Sequence, residues 1–137
     1  MSKEPMVQSP VRVVARFLAA VVGGYLVIAL LQTLVLEVAL RGEVAPDSPI
    51  PILGLATLGT VLSGLIGGYF AARVGRPHPF RHVLGVVCVL GLDAVYVIAK
   101  AVGGHPVWYS LGGALTLMAA TGLGGWIGAR RSSRGLS

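Results

Sequence analysis

Residues 52–73 read ILGLATLGTVLSGLIGGYFAAR, an uncharged run closed by Arg73. A hydrocarbon core of about 30 Å takes roughly 20 helical residues, so the run is long enough to cross a bilayer. In lipid, backbone groups must be satisfied within a helix or a closed barrel. The run lacks apolar–polar alternation, which excludes a barrel strand and leaves a helix. Working outward, runs of the same kind occupy residues 17–36, 83–101 and 108–129, beside the opening one at 52–72. The expected fold is all-α: a polytopic membrane protein whose four transmembrane helices form a bundle, as a single transmembrane domain over residues 1–137.

Composition points the same way. Hydrophobic residues make up 55% of the chain and charged residues 12%, whereas a water-soluble domain carries about 25% charged residues. Mean hydropathy is +0.82. The first run is longer than a signal-peptide core and no small-x-small cleavage site precedes Arg41, so it reads as a retained helix. The single cysteine, Cys88, sits inside the third run. An intrachain disulfide and a CxxC redox pair are thereby excluded.

Basic residues set an expected orientation. Lys3, Arg12 and Arg16 precede the first run, Arg73, Arg76 and Arg81 separate the second and third, and Arg130, Arg131 and Arg134 follow the fourth. Positive charge collects on cytoplasmic loops, so both termini are expected in the cytoplasm, with the chain in the inner (plasma) membrane. The opposite loops hold Arg41 with Glu43 and Asp47, and Lys100 with His105. The net charge of +6 therefore reads as orientation and contact with anionic lipid headgroups, and not as nucleic-acid binding.

Pro46, Pro49 and Pro51 favour turns and extended backbone in the first outward loop. The short link Gly75-Arg76-Pro77-His78-Pro79 predicts that the second and third helices are antiparallel neighbours. The even helices end alike, Gly67-Gly68-Tyr69-Phe70-Ala71-Ala72-Arg73 beside Gly124-Gly125-Trp126-Ile127-Gly128-Ala129-Arg130. Two readings stay open. One is a pair of parallel helical-hairpin repeats about an axis along the membrane normal. The other is two helix ends meeting the same interfacial needs for small residues, an aromatic anchor and an arginine.

Gly64 with Gly68, and Ser63 with Gly67 and Ala71, give the second helix two small-xxx-small faces. Thr116, Ala120, Gly124 and Gly128 give the fourth helix one, and Ala15, Ala19 and Gly23 give the first a shorter version. Such spacing lets backbones approach and gain dispersion contacts, since lipid supplies no hydrophobic drive for association. Internal packing of these faces is the favoured reading, and the second face of the second helix leaves room for a partner as the other.

The third run carries Asp93, where a carboxylate costs about 2.5–3.5 kcal/mol even on the lenient insertion scale. Asp93 is therefore expected to face protein. Tyr96 and Lys100 follow at i+3 and i+7, a polar ladder on one face. Gln32 lies about 7.5 Å below Glu37 along the first helix and Asp93 about 10.5 Å below Lys100, so two rungs are expected at matching depths. The deeper rung joins Gln32 with Asp93, with Tyr96 and Thr60 as neighbours, as a proton or cation site or as a hydrogen-bonded clasp. The outer rung pairs Glu37 with Lys100, although Gln32 and Glu37 stand about 140° apart on an ideal helix.

Further chemistry is sparse. His78 and His82 are four apart, but Pro77 and Pro79 interrupt the helix between them and no further ligand completes a metal set. His105 lies on the opposite side, so no histidine pair is placed to hold a haem. No nucleophile motif, Walker loop or HExxH sequence is present. No enzyme activity, cofactor or metal is expected.

The stretch Gly67-Gly68-Tyr69-Phe70-Ala71-Ala72-Arg73, with His78-Pro79-Phe80-Arg81-His82 after it, resembles uncharacterised small four-span bacterial inner-membrane proteins. The resemblance implies the four-helix membrane fold and carries over no activity or site. The expected function is helix packing, as an accessory or assembly subunit of a membrane complex or as a homo-oligomer. The alternative is a small proton-coupled transporter or ion pathway that uses Asp93.

Overall fold

The structure is a computed structural model that describes residues 9–42, 44–100 and 104–134. Lys3, Glu43 and Ala101 lie outside the described residues. The four expected helices are present as α1 (Pro10–Thr33), α2 (Ile50–Val74), α3 (Pro79–Ala99) and α4 (Val107–Arg134). All four are long and apolar enough to cross a membrane. A proline stands in the first turn of α1, α2 and α3, where its missing N–H is not needed and its fixed φ suits the helix.

The helices outrun the apolar segments at several ends, because interfacial residues continue the backbone ladder past the hydrocarbon. α1 begins before Arg12 and runs on through a π-helical turn, Leu34–Ala39. That turn stops where Arg41 takes a left-handed φ of 53° and Gly42 a φ of 131°. α3 instead ends earlier than expected, with Lys100 as its cap.

Small residues decide the packing. A methyl placed on Gly64 would stand 2.8 Å from Ala120 Cβ, and one on Gly68 would overlap the Thr121 carbonyl. Gly124 packs as tightly on the Leu65 backbone, and Gly128 on Ala72. α2 and α4 therefore form the tightest pair, although the chain joins α1 to α2 and α3 to α4. On the other small face of α2, Gly67 receives Ile28 of α1, and Ala71 touches the position of Gly24 at 3.0 Å. Both faces are thus used within the chain. α2 approaches α1 at Gly24 and, through the Phe70 ring, at Gly23, while Ala15 and Ala19 face outward.

α3 completes the bundle by seating Val83 on Gly125, and it also touches α1 and α2. The matching glycines consequently have different surroundings. Gly67 serves α2's own hairpin and Gly68 the other one, whereas in α4 Gly124 serves the other hairpin and Gly125 its own. The rest of the shared pattern does act alike: Arg73 lies over the Tyr69 ring and Arg130 over the Trp126 ring, at the same end of the bundle.

That end, called here the arginine end, is also tied by Arg16, whose guanidinium donates to the Arg76 carbonyl at 2.9 Å. The outward surface is apolar, with Leu30 63%, Leu84 63% and Leu92 72% exposed. Such a belt has no stable place in water and suits acyl chains.

Candidate functional site

The glycine contacts between α2 and α4 lie in the half of the bundle nearer the arginine end. In the other half, the loop end, Gly59 packs on Val35 of the π-helical turn, but an open cavity of about 580 Å³ lies between the helices. Each helix contributes a stripe at helical spacing. α2 offers Leu53, Ala56, Thr57 and Thr60, and α3 offers Leu90, Asp93, Ala94 and Val97. α4 offers Ser110, Gly113, Thr116 and Leu117, and Gln32 and Leu36 enter from the first helix and its π-helical turn.

Asp93, Gln32 and Thr60 are therefore brought together around one cavity, as the deeper rung requires. Tyr96 is not. At about 100° per residue, Asp93 stands at the edge of the α3 stripe and Tyr96 falls beyond it. Tyr96 is 59% exposed and lines neither cavity. Asp93 is also not buried among helices as expected, but exposed on the cavity wall. It lies about 9 Å of helix rise from the end of α3. Among the described residues, neither its carboxylate nor the Gln32 amide has a hydrogen-bond partner in the protein.

The outer rung does not form. The π-helical turn that carries Glu37 packs on α1 and α2 and makes no close approach to α3, which ends in Lys100. The rung is lost through this packing and not through angle, since a π-helical turn rotates less per residue than an α-helix and narrows the separation between Gln32 and Glu37. Glu37 instead borders a second cavity of about 350 Å³, which shares Gln32, Leu36, Thr60, His105 and Tyr109 with the first. The two adjoin, with Glu37 on the smaller one and Asp93 on the larger.

Three threonines in the large cavity are held by their own helices. Thr57, Thr60 and Thr116 donate to the carbonyls of Leu53, Ala56 and Gly112 at 2.8, 3.0 and 2.9 Å. At the mouth, the Tyr109 hydroxyl donates to the Val44 carbonyl at 3.1 Å, pinning the 40–49 connection onto α4. His105 and Trp108 flank that ring, at 5.5 and 5.8 Å between centroids. Sequence reasoning did not single out Thr57 or Tyr109, and it assigned Thr116 to packing. The i, i+3, i+4, i+7 spacing of these residues was the available signal.

The histidines at the arginine end have a structural role. His82 is buried, with Nδ1 donating to the His78 carbonyl at 2.7 Å and its ring 5.3 Å from Phe17. It fills the space beside Gly75. Among the described residues, no group of His, Cys, Asp and Glu is arranged to hold a metal. No family model, curated protein or solved structure matches the chain.

Proposed function

We propose that the chain is a small, non-enzymatic membrane transporter in which Asp93 carries a proton or a cation. The observation that supports this most is a carboxylate without a hydrogen-bond partner among the described residues, within a membrane helix, on the wall of an open cavity. A carboxylate facing hydrocarbon there would be costly, and one serving as a helix clasp would have a partner. The tight glycine contacts beneath the cavity favour a carrier over a continuous pore, because passage to the arginine end requires α2 and α4 to separate. The arginines gathered at that end support an inner-membrane location with both termini cytoplasmic and the cavity opening outward.

Proteoliposomes with entrapped pyranine and a potassium–valinomycin potential provide the test. Wild-type protein is expected to give proton uptake that Asp93→Asn reduces at least tenfold, with the variant eluting as the same monodisperse species. Equal flux in the two would sink the reading.

A second reading, as an assembly subunit or homo-oligomer, draws support from the same exposure of Asp93, which another subunit could cover. It predicts a larger species in lipid nanodiscs. A lone monomer with an Asp93-dependent flux excludes it.

A further inference from the structure

We propose that the large cavity binds a protonated amine borne on an apolar body, with the ammonium group at Asp93. The proposal rests on the Asp93 reading above and narrows it to a ligand class. Hydrogen-bond direction is the first support. The protons of Thr57, Thr60 and Thr116 are spent on helix carbonyls, so these hydroxyls turn only lone pairs toward the cavity. With the Asp93 carboxylate they form a patch of acceptors, which the Gln32 amide oxygen can join, while the Ser110 hydroxyl and the Trp108 indole N–H are donors elsewhere in the lining. An ammonium with N–H groups is the complement of such a patch.

Charge is the second support. Among the described residues no lysine or arginine lines either cavity, while Glu37 borders the smaller one. Glu37, the Trp108 and Tyr109 rings and Asp93 thus all border the two cavities, and aromatic faces attract cations. His105, which lines both, is the one basic side chain among these residues.

Size and wall chemistry disfavour a dehydrated divalent ion. Calcium takes about 6–8 oxygen ligands and magnesium a tight octahedron, and the lone carboxylate in a space of about 580 Å³ closes neither shell. Ligand pockets of about 300–1,000 Å³ take organic molecules. Leu36, Leu53, Leu90, Val97 and Leu117 supply the apolar walls for the body.

The test uses the full chain in phosphatidylcholine nanodiscs, which carry no anionic headgroups, and dansylcadaverine, whose fluorescence rises in apolar surroundings. Saturable binding is expected, weakened about 10- to 100-fold by Asp93→Asn, as for loss of a charge-assisted hydrogen bond. The N-acetylated probe, of the same body but without charge, is expected to bind at least tenfold more weakly than the amine. Gly113→Leu should abolish binding by filling the cavity, with the variant eluting as the same monodisperse species, since Gly113 lines the cavity and a Cβ there meets nothing within 4 Å. Equal binding of amine and acetylated probe, or an unchanged affinity in Asp93→Asn, would overturn the ligand class. No binding of dansylcadaverine beside an Asp93-dependent proton flux overturns the ligand class and leaves transport standing. Asp93-dependent binding without flux does the reverse.

Discussion

A methyl group on Gly68 would run into the backbone of Thr121, whereas one on Gly122 meets nothing within 4 Å. Both positions are helical, so alanine gains propensity at each, by about 0.8–1 kcal/mol in soluble hosts. Only at Gly68 must two backbones move apart to admit it. Gly68→Ala is accordingly expected to destabilise the bundle by about 1–3 kcal/mol through overpacking, and Gly122→Ala to leave it unchanged or more stable. Unfolding in mixed micelles checks this, and equal stabilities would refute the close-packed α2–α4 contact. Asp93 offers the converse case. With no partner among the described residues, its replacement by Asn breaks no protein contact. Stability within about 1 kcal/mol of the parent, or above it, is expected. A large loss in the same unfolding assay would restore the clasp.

At the scale of elements, the 40–49 connection is held by its contact with α4 as well as by its prolines. Val44 is buried and its carbonyl accepts from Tyr109. Tyr109→Phe keeps the ring and removes that bond, at a cost of about 0.5–1.5 kcal/mol. Faster amide exchange confined to residues 44–48 is the expected readout, and unchanged exchange there would show that the bond does not restrain the connection. The existence of the helices was legible because hydrocarbon thickness alone demands long apolar runs. The small-residue faces were legible too, since close approach requires glycine, alanine or serine at every fourth position. What each face meets was not. Gly67 and Gly68 are adjacent in sequence and differ by about 100° in direction, so which one turns to α1 and which to α4 depends on the whole bundle. The Glu37–Lys100 rung failed for a similar reason. An ideal-helix projection carries no warning of a π-helical turn at Leu34–Ala39, and that turn decides where Glu37 goes.

Across the whole molecule, one helix face does two things along its length. On α4, Ala120, Gly124 and Gly128 close against α2, and Thr116, further along the same stripe, opens onto the cavity. On α2, Gly64 and Gly68 close while Thr57 and Thr60 open. The α2–α4 pair is thus shut at the arginine end, where small residues let the backbones meet, and opens onto the cavity at the loop end. A water-filled cavity and a lipid-filled one differ in thiol chemistry, because a thiolate forms only where water reaches. In a Cys88→Ser background, Thr57→Cys and Thr116→Cys are expected to react with a membrane-impermeant methanethiosulfonate added from the loop end. Ser63→Cys, a near-isosteric change at a position only 1% exposed, is expected to react at least tenfold more slowly. Leu115→Cys, on the lipid-facing side at 55% exposure, should be slow as well, which separates exposure to water from exposure to acyl chains. Reagent added to right-side-out vesicles reaches Thr57→Cys if the cavity opens outward, and inverted vesicles are needed if the orientation is reversed. Thr116→Cys as slow as Ser63→Cys from both sides would mean that water does not reach the cavity, and Asp93 would then lack the medium that a proton or an ammonium ion needs to arrive.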